Sequence, residues 1–249
     1  MDVMEAAFRW NHVVAGVIWI GQLYFFNFVN AVFAPSMDAE TKKKVVPQLM
    51  PRALYWFRWG AAWTWVTGVL LLLMVFYHTG VVFNSEATWG GFALLMVALT
   101  FLMPMAYDVF ARGGIGKDNR LLAGVALATV TFMIFAYELA GFSYRGYVIH
   151  VGTLFGTTMA MNVWMRIWPA QRRIITATRD GKAPDPADPA LASTRSKHNT
   201  YMSVPLLWMM LNQHTTTFSG SWVGLVGVIA VGWGATYFLY QKAAKVSGF

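Results

Sequence analysis

The chain has 249 residues, of which 57% are hydrophobic and only 12% are charged, too few charges to keep the surface of a soluble domain of this size wetted. The formal charge of +8 would suit a nucleic-acid-binding protein, but the basic residues lie between long apolar blocks and form no continuous patch. Cysteine is absent, which excludes disulfides, thiolate metal sites, iron–sulfur clusters and a c-type haem held through C-x-x-C-H. A redox cofactor would therefore have to be held by His, Met or carboxylates.

Seven apolar blocks are each long enough to cross a bilayer, which takes about 20 residues of helix. The first begins close to the N-terminus, where Asp2 and Glu5 have the wrong sign for a signal peptide, so we expect a retained helix. The sixth is diluted by polar residues and contains Pro205, which predicts a kinked, buried helix. In chain order the blocks are Phe8–Phe33, Leu54–Tyr77, Trp89–Phe110, Leu121–Phe142, Tyr147–Trp168, Thr200–Thr217 and Trp222–Tyr240.

Lysine and arginine alternate between the two sides of this predicted bundle. Of the 19 basic residues, all but Arg9 and Arg145 lie in connections 1–2, 3–4 and 5–6 or in the C-terminal tail. Because basic residues accumulate on the cytoplasmic side, the N-terminus is predicted outside and the C-terminus in the cytoplasm. We expect one all-α domain over residues 1–249, a bundle of about seven transmembrane helices in a bacterial inner membrane.

Two connections have distinctive compositions. Residues 171–198 form the one long polar stretch, which predicts a flexible cytoplasmic loop, with a docking site for a partner as the alternative. The segment Pro35–Pro51 contains the basic run Lys42–Lys44. It predicts a short surface helix that touches anionic lipid.

Four of the five histidines fall in the outer half of the predicted membrane, on four different helices. His12 and His150 lie about one turn into helices that enter from outside, whereas His78 and His214 lie near the ends of helices that run outward. His198 is cytoplasmic. Because neutral imidazole is a common ligand and haem b needs two axial side chains, histidines at one depth indicate a metal or haem iron. We predict His12, His150 and His214 as ligands, with a hydrogen-bonded interface role as the alternative.

Three glycines lie close to two of these histidines. Gly16 is one turn from His12, and Gly152 and Gly156 follow His150 on nearby faces. They would leave space for a flat macrocycle, which supports a haem b site. The alternative is helix packing, because G-x-x-x-G is also a contact motif between membrane helices.

Charged and amide side chains also lie within the predicted transmembrane bundle. Glu138 lies near the outer end of the fourth block, and Arg9 and Arg145 lie near the outer surface. We expect Glu138 either to accept protons or to neutralise one of these arginines, and the arginines to handle protons or an anionic substrate. Asn162 and Arg166, on the cytoplasmic half, indicate an interhelical hydrogen bond and a positive-inside anchor.

Four segments together resemble a known family. They are HVVAGVIWIGQLYFF from His12, LYWFRWGAAWTWVTG from Leu54, HVGTLFGTTMAMNVWMRIWPAQ from His150 and HNTYMSVPLLWMMLNQH from His198. These segments are similar to the membrane domain of the bacterial urate hydroxylases, integral-membrane urate oxidases that usually carry a C-terminal cytochrome c domain. The first segment also resembles, more faintly, the opening helix of the small membrane protoporphyrinogen oxidases, whose histidine is associated with haem b.

The resemblance implies that His12, His150, His198 and His214 are the motif histidines and that the reaction is oxidation of urate to 5-hydroxyisourate. The sequence has no C-x-x-C-H and stops soon after the seventh block, so we expect electrons to pass to a separate periplasmic cytochrome c. Two alternatives stay open. One is a non-catalytic subunit of a larger respiratory or photosynthetic membrane complex, and the other is a transporter.

Overall fold

The secondary structure of the chain is helical. The structure, a computed structural model, describes residues 2–214 and 221–246, and within them the one extended pairing is an isolated bridge between Phe83 and Phe142. The all-α prediction is confirmed. The eight longest helices are α1 Asp2–Tyr24, α2 Ala39–Leu71, α3 Gly91–Arg112, α4 Asn119–Leu139, α5 Tyr144–Met161, α6 Trp168–Arg179, α7 Ala187–Leu211 and α8 Trp222–Ala243.

Three six-residue segments of these helical stretches are π-helical. They are Phe25–Asn30 after α1, Leu72–Tyr77 after α2 and Asn162–Ile167 between α5 and α6. A π-helical turn inserts an extra residue into the helix and is frequent at functional sites. Each segment carries a polar residue with hydrogen bonds to other helices: Asn27, Tyr77 and Asn162 respectively.

Length and composition mark several helices as membrane-crossing. Within the described residues five stretches qualify: Val3–Ser36, Ala39–Tyr77, Gly91–Arg112, Asn119–Leu139 and Trp222–Ala243. The chain is therefore a multi-pass helical membrane protein. The two other predicted spans are helical at α5 and α7 but do not meet that composition, and residues 215–217 of the sixth block lie outside the described residues.

The prediction of a flexible loop over residues 171–198 is wrong for most of its length. Helix α6 continues to Arg179 and α7 begins at Ala187, so only residues 180–186 connect them. The Arg173 side chain bonds both carboxylate oxygens of Asp188, at 3.0 and 2.9 Å, and thereby holds the pKa of that carboxyl below its usual range. Pro189 does not prevent the helix, because proline is tolerated in a first helical turn.

The predicted surface helix before the second span is not a separate element. Helix α2 runs without interruption from Ala39 through both Pro47 and Pro51 into the apolar block. Its start is fixed by Asp38, whose carboxylate accepts hydrogen bonds from the Thr41 backbone N–H at 2.9 Å and the Thr41 hydroxyl at 2.7 Å. Each proline removes one intrahelical hydrogen bond, which the remaining turns of so long a helix compensate.

The chain divides into two compact units, each with its own apolar core. The first unit contains Gly68–Thr158 and Pro205–Gly232, together with the residues up to Glu5, and the second contains Ala6–Thr67, Met159–Val204 and the residues from Trp233 onward. Core side chains of the first unit include Met133, Ile134, Tyr137, Phe142 and Val148, and those of the second include Trp19, Leu23, Leu54, Phe57 and Val163. A single domain over residues 1–249 stays a prediction.

Candidate functional site

His150 lies inside the first unit with 0% of its surface exposed. Its Nδ1 is 2.7 Å from the carbonyl oxygen of Gly146, which can only accept, so Nδ1 carries the proton. Nε2 is then the acceptor, and the hydroxyl of Tyr77 donates to it at 2.8 Å. Both ring nitrogens of this histidine are therefore satisfied by the protein itself.

Aromatic rings enclose the His150 imidazole. Tyr77 stacks on it with centroids 5.6 Å apart, Tyr137 lies tilted at 5.4 Å, and Phe142 meets it edge-on at 4.8 Å. The hydroxyl of Tyr137 is in turn 2.6 Å from Oγ1 of Thr100, so this buried phenol also has a partner. The surroundings of His150 are those of a closed, well-packed core.

A close contact between the start of α5 and Val82 positions the carbonyl group that orients His150. Gly141 has φ +84°, a turn conformation that favours glycine, and the next residues bring the Ser143 N–H to 2.9 Å from the carbonyl oxygen of Val82. A Cβ on Gly146 would lie 2.1 Å from that same Val82 oxygen, so only glycine permits the approach. This contact with Val82 thereby fixes the first turn of α5 and the direction of the Gly146 carbonyl.

His12, in the second unit, has a different environment. Its Nδ1 is 3.1 Å from Oγ1 of Thr67, and that hydroxyl lies 2.6 Å from the carbonyl oxygen of Trp63. Because the carbonyl can only accept, the single Thr67 proton goes to it, and Nδ1–H of His12 donates to Thr67. Nε2 then carries the lone pair. The imidazole also has a hydrogen bond with the backbone of Thr64. A lone pair on one nitrogen, with the other nitrogen anchored, is the state in which a histidine binds a metal.

The three predicted glycines do not share one role. A Cβ on Gly16 would make only ordinary contact with Thr64, at 3.8 Å, and one on Gly156 would meet nothing within 4 Å. A Cβ on Gly152 would lie 2.6 Å from Cε of Met210 on α7. Gly152 therefore fits the packing alternative, whereas Gly16 and Gly156 leave room beside their helices.

The three charged residues predicted for catalysis differ in how far they are exposed. Glu138 and Arg9 are exposed, but Arg145 is half-buried. Its guanidinium carbon lies 6.0 Å from the centroid of the Phe76 ring, and its Nε is buried with no hydrogen bond in the described part of the chain. Of these three, Arg145 has the geometry of an anion receptor.

The remaining histidines are less enclosed. His78 and His214 are exposed, and His214 directly precedes residues 215–220, which lie outside the described residues. Across residues 2–214 and 221–246, no group of three or more His, Cys, Asp or Glu side chains could hold a metal ion. A haem iron needs no such group, since two axial side chains suffice. Ligation by His12, His150 and His214 stays a prediction.

Sequence reasoning missed most of a buried polar network in the second unit. The expected hydrogen bond of Asn162 is confirmed: its amide donates to Oδ1 of Asn199 at 2.8 Å, and Nη1 of Arg195 lies 3.5 Å from Oδ1 of Asn162. Arg195 is 1% exposed. Burial, with Arg195 adding to it, lowers the pKa of the nearby His198 to about 4.

The same network reaches two further helical stretches. Asn27 donates to Oγ of Ser196 at 2.7 Å and accepts from the hydroxyl of Tyr240 at 2.8 Å. Tyr24 and Ser203 pair through their hydroxyls at 3.1 Å. The sequence does contain one feature that indicates this network. The polar residues of α7 recur every three or four positions and therefore share one helix face.

Apolar spans and buried polar side chains define a multi-pass helical membrane protein. The chain belongs to the urate oxidase N-terminal family, whose model matches residues 37–248. That range contains His150, His198 and His214 and begins after His12. The predicted resemblance is thereby confirmed, and membership suggests a urate-related oxidoreductase function. The comparisons with curated proteins and with solved structures find no match.

The Tyr77–His150 hydrogen bond gives a first prediction. Tyr77→Phe leaves Nε2 of a buried imidazole without its donor, so the variant should lose about 1–3 kcal/mol of stability. Thermal unfolding in mild detergent measures the loss. Tyr237→Phe, at a side chain that is 53% exposed, serves as the control and should unfold like the unaltered protein. Equal stability of both variants would contradict the inferred hydrogen bond.

Proposed function

We propose that this protein is a haem b-binding membrane oxidoreductase that oxidises urate and passes the electrons to a periplasmic cytochrome c. The observation that carries the proposal is the hydrogen bonding of His12, whose Nδ1–H donates to Thr67, so that the lone pair is on Nε2. Family membership supports the substrate. A haem b held there would supply one-electron transfer.

The histidines fit a haem iron unequally. At His12, Nδ1–H donates to Thr67, and the nearby Gly16 would bring a Cβ only into ordinary contact with Thr64. At His150, Nε2 already accepts from Tyr77, so ligation there requires that phenol to move away. His214 is exposed and free of such a constraint. We therefore assign His12 as a ligand, and ligation by His150 and His214 stays a prediction.

Arg145 is the residue we assign to the substrate. Oxidation of urate to 5-hydroxyisourate adds the oxygen of one water and releases two protons and two electrons. Urate is an anion near neutral pH, and a half-buried guanidinium with an unpartnered Nε can bind an anionic heterocycle through a charge-assisted hydrogen bond. Glu138, which is exposed, is the proposed proton acceptor, and Arg9 contributes positive charge.

We also propose seven spans in a bacterial inner membrane, with the N-terminus outside and the C-terminus in the cytoplasm. All seven apolar blocks are helical over most of their described residues, and the exceptions lie at block ends. The distribution of lysine and arginine supports the orientation, because an odd number of spans separates the two termini and basic residues collect on the cytoplasmic side.

The haem assignment predicts the spectrum of single variants. The purified protein should show a b-type reduced-minus-oxidised spectrum, and His12→Ala should lower haem retention at least about tenfold because an axial ligand is lost. Thr67→Val should lower it less, and Thr67→Ser, which keeps the hydroxyl, should restore it. His78→Ala, at an exposed histidine, is the matched control. A haem-free protein from cells with ample haem, or full haem in His12→Ala, would overturn the assignment.

The substrate assignment predicts a selective kinetic defect. Arg145→Gln should raise the KM for urate by about ten- to a hundredfold, since a hydrogen bond to a charged group contributes roughly 1.5–3 kcal/mol, with little change in haem content. Urate-dependent reduction of cytochrome c measures it. Arg112→Gln, which removes an exposed arginine paired with Asp108, is the control. An unchanged KM in Arg145→Gln would contradict this role.

The orientation can be tested cleanly because the chain has no cysteine. Glu86→Cys and Lys182→Cys both place a thiol at an exposed loop position. A membrane-impermeant maleimide should label the first in intact cells and the second only after permeabilisation. Labelling of both from the same side would contradict the number of spans, and the reverse pattern would invert the orientation.

A further inference from the structure

A groove lies between α1 and α2 in the second unit. It has a volume of about 380 Å³, with Val14 and Ile18 of α1 on one side and Trp56, Trp59 and Trp63 of α2 on the other. Trp56 and Trp63 are 55% and 54% exposed. Both helices belong to stretches long and apolar enough to cross a membrane, so the exposed indoles face lipid.

Gly60 gives the groove its depth. A Cβ at this position would lie 3.1 Å from the backbone nitrogen of Trp19 and 3.2 Å from the carbonyl oxygen of Ala15. The backbones of α1 and α2 therefore approach each other closely at Gly60, and no side chain fills the space between the surrounding indoles. The result is a narrow, apolar channel that suits an alkyl chain.

A cation lies beside Tyr55, one of the residues that line this groove. The guanidinium carbon of Arg58 is 3.9 Å from the ring centroid of Trp168 and 5.7 Å from that of Tyr55, which lines the groove. Trp164 donates its indole N–H to the Arg58 carbonyl oxygen at 3.0 Å, which fixes the backbone there. Within the described residues the guanidinium forms no hydrogen bond or ion pair, and its Nε is buried.

We propose that this groove binds an anionic phospholipid, with the phosphate at Arg58 and an acyl chain between the indoles. The argument is charge complementarity: a fixed, unpaired guanidinium is a strong phosphate partner, and it adjoins an apolar channel that opens to the bilayer. Indoles are suited to this boundary, since they combine a large apolar surface with one polar N–H. The site is separate from the haem and urate assignments and does not depend on them.

The test uses the purified full chain in mild detergent. It is titrated with phosphatidylglycerol or phosphatidylcholine of the same acyl composition, and bound lipid is counted by native mass spectrometry. The unaltered protein should retain phosphatidylglycerol at least about tenfold better. Arg58→Gln should abolish that preference, and Arg58→Lys should keep much of it, because the charge remains.

Two pairs of variants separate the groove from general effects. Val14→Trp fills the groove and should reduce binding of both lipids, whereas Val13→Trp, at a neighbouring position that is 60% exposed and does not line the groove, should not. Arg172→Gln removes an exposed arginine elsewhere and should leave the preference intact. Helical content by circular dichroism confirms that each variant is folded.

Three results would overturn the proposal. The first is equal retention of the two lipids by the unaltered protein. The second is a preference for phosphatidylglycerol that survives Arg58→Gln in folded protein. The third is recovery from the native membrane of a different occupant, such as an isoprenoid quinone, whose binding Val14→Trp abolishes.

Discussion

Inside a bundle of apolar helices, a polar atom that leaves water must find its partner within the protein, and the first turn of α5 shows what that demands. The Gly146 carbonyl accepts from Nδ1 of His150, and Tyr77 donates to Nε2, so no capacity of the imidazole is left over. His12 is held differently, by Oγ1 of Thr67 and by the backbone of Thr64. The sequence alone does not distinguish the two histidines, and their different hydrogen bonds are the reason for proposing His12 as the ligand.

Much of the fold could be predicted because apolar block length reports directly on membrane helices. Every predicted block is helical over most of its described residues, and the resemblance found in four segments agrees with the matched family. The failure over residues 171–198 has a physical cause. A stretch rich in proline and charge is typical of a flexible loop, but here Arg173 and Asp188 pair across the connection and Pro189 lies where a helix tolerates it.

The site was harder to predict, because its decisive contacts join residues far apart in sequence. Tyr77 and His150 are separated by 73 positions, and His12 and Thr67 by 55. Nothing in the spacing of a single helix indicates such pairs. The G-x-x-x-G motif shows the same limit, since a Cβ on Gly152 would meet Met210 whereas one on Gly156 would meet nothing within 4 Å. Gly152 therefore fits helix packing, and a place for Gly156 beside a haem stays a prediction.

Buried arginine alone does not identify a substrate site, as Arg195 and Arg145 show. Arg195 is the more deeply buried, but it belongs to a network of hydrogen bonds within the protein. In that network Arg195 donates to Asn162, and Asn162 donates to Asn199. A satisfied network of this kind stabilises a particular arrangement of helices and has no donor to give to a ligand without breaking existing bonds. Arg145 keeps a buried Nε that no described group satisfies. An anion bound there would remove that deficit, which is the reason for proposing Arg145 as the residue that binds the substrate.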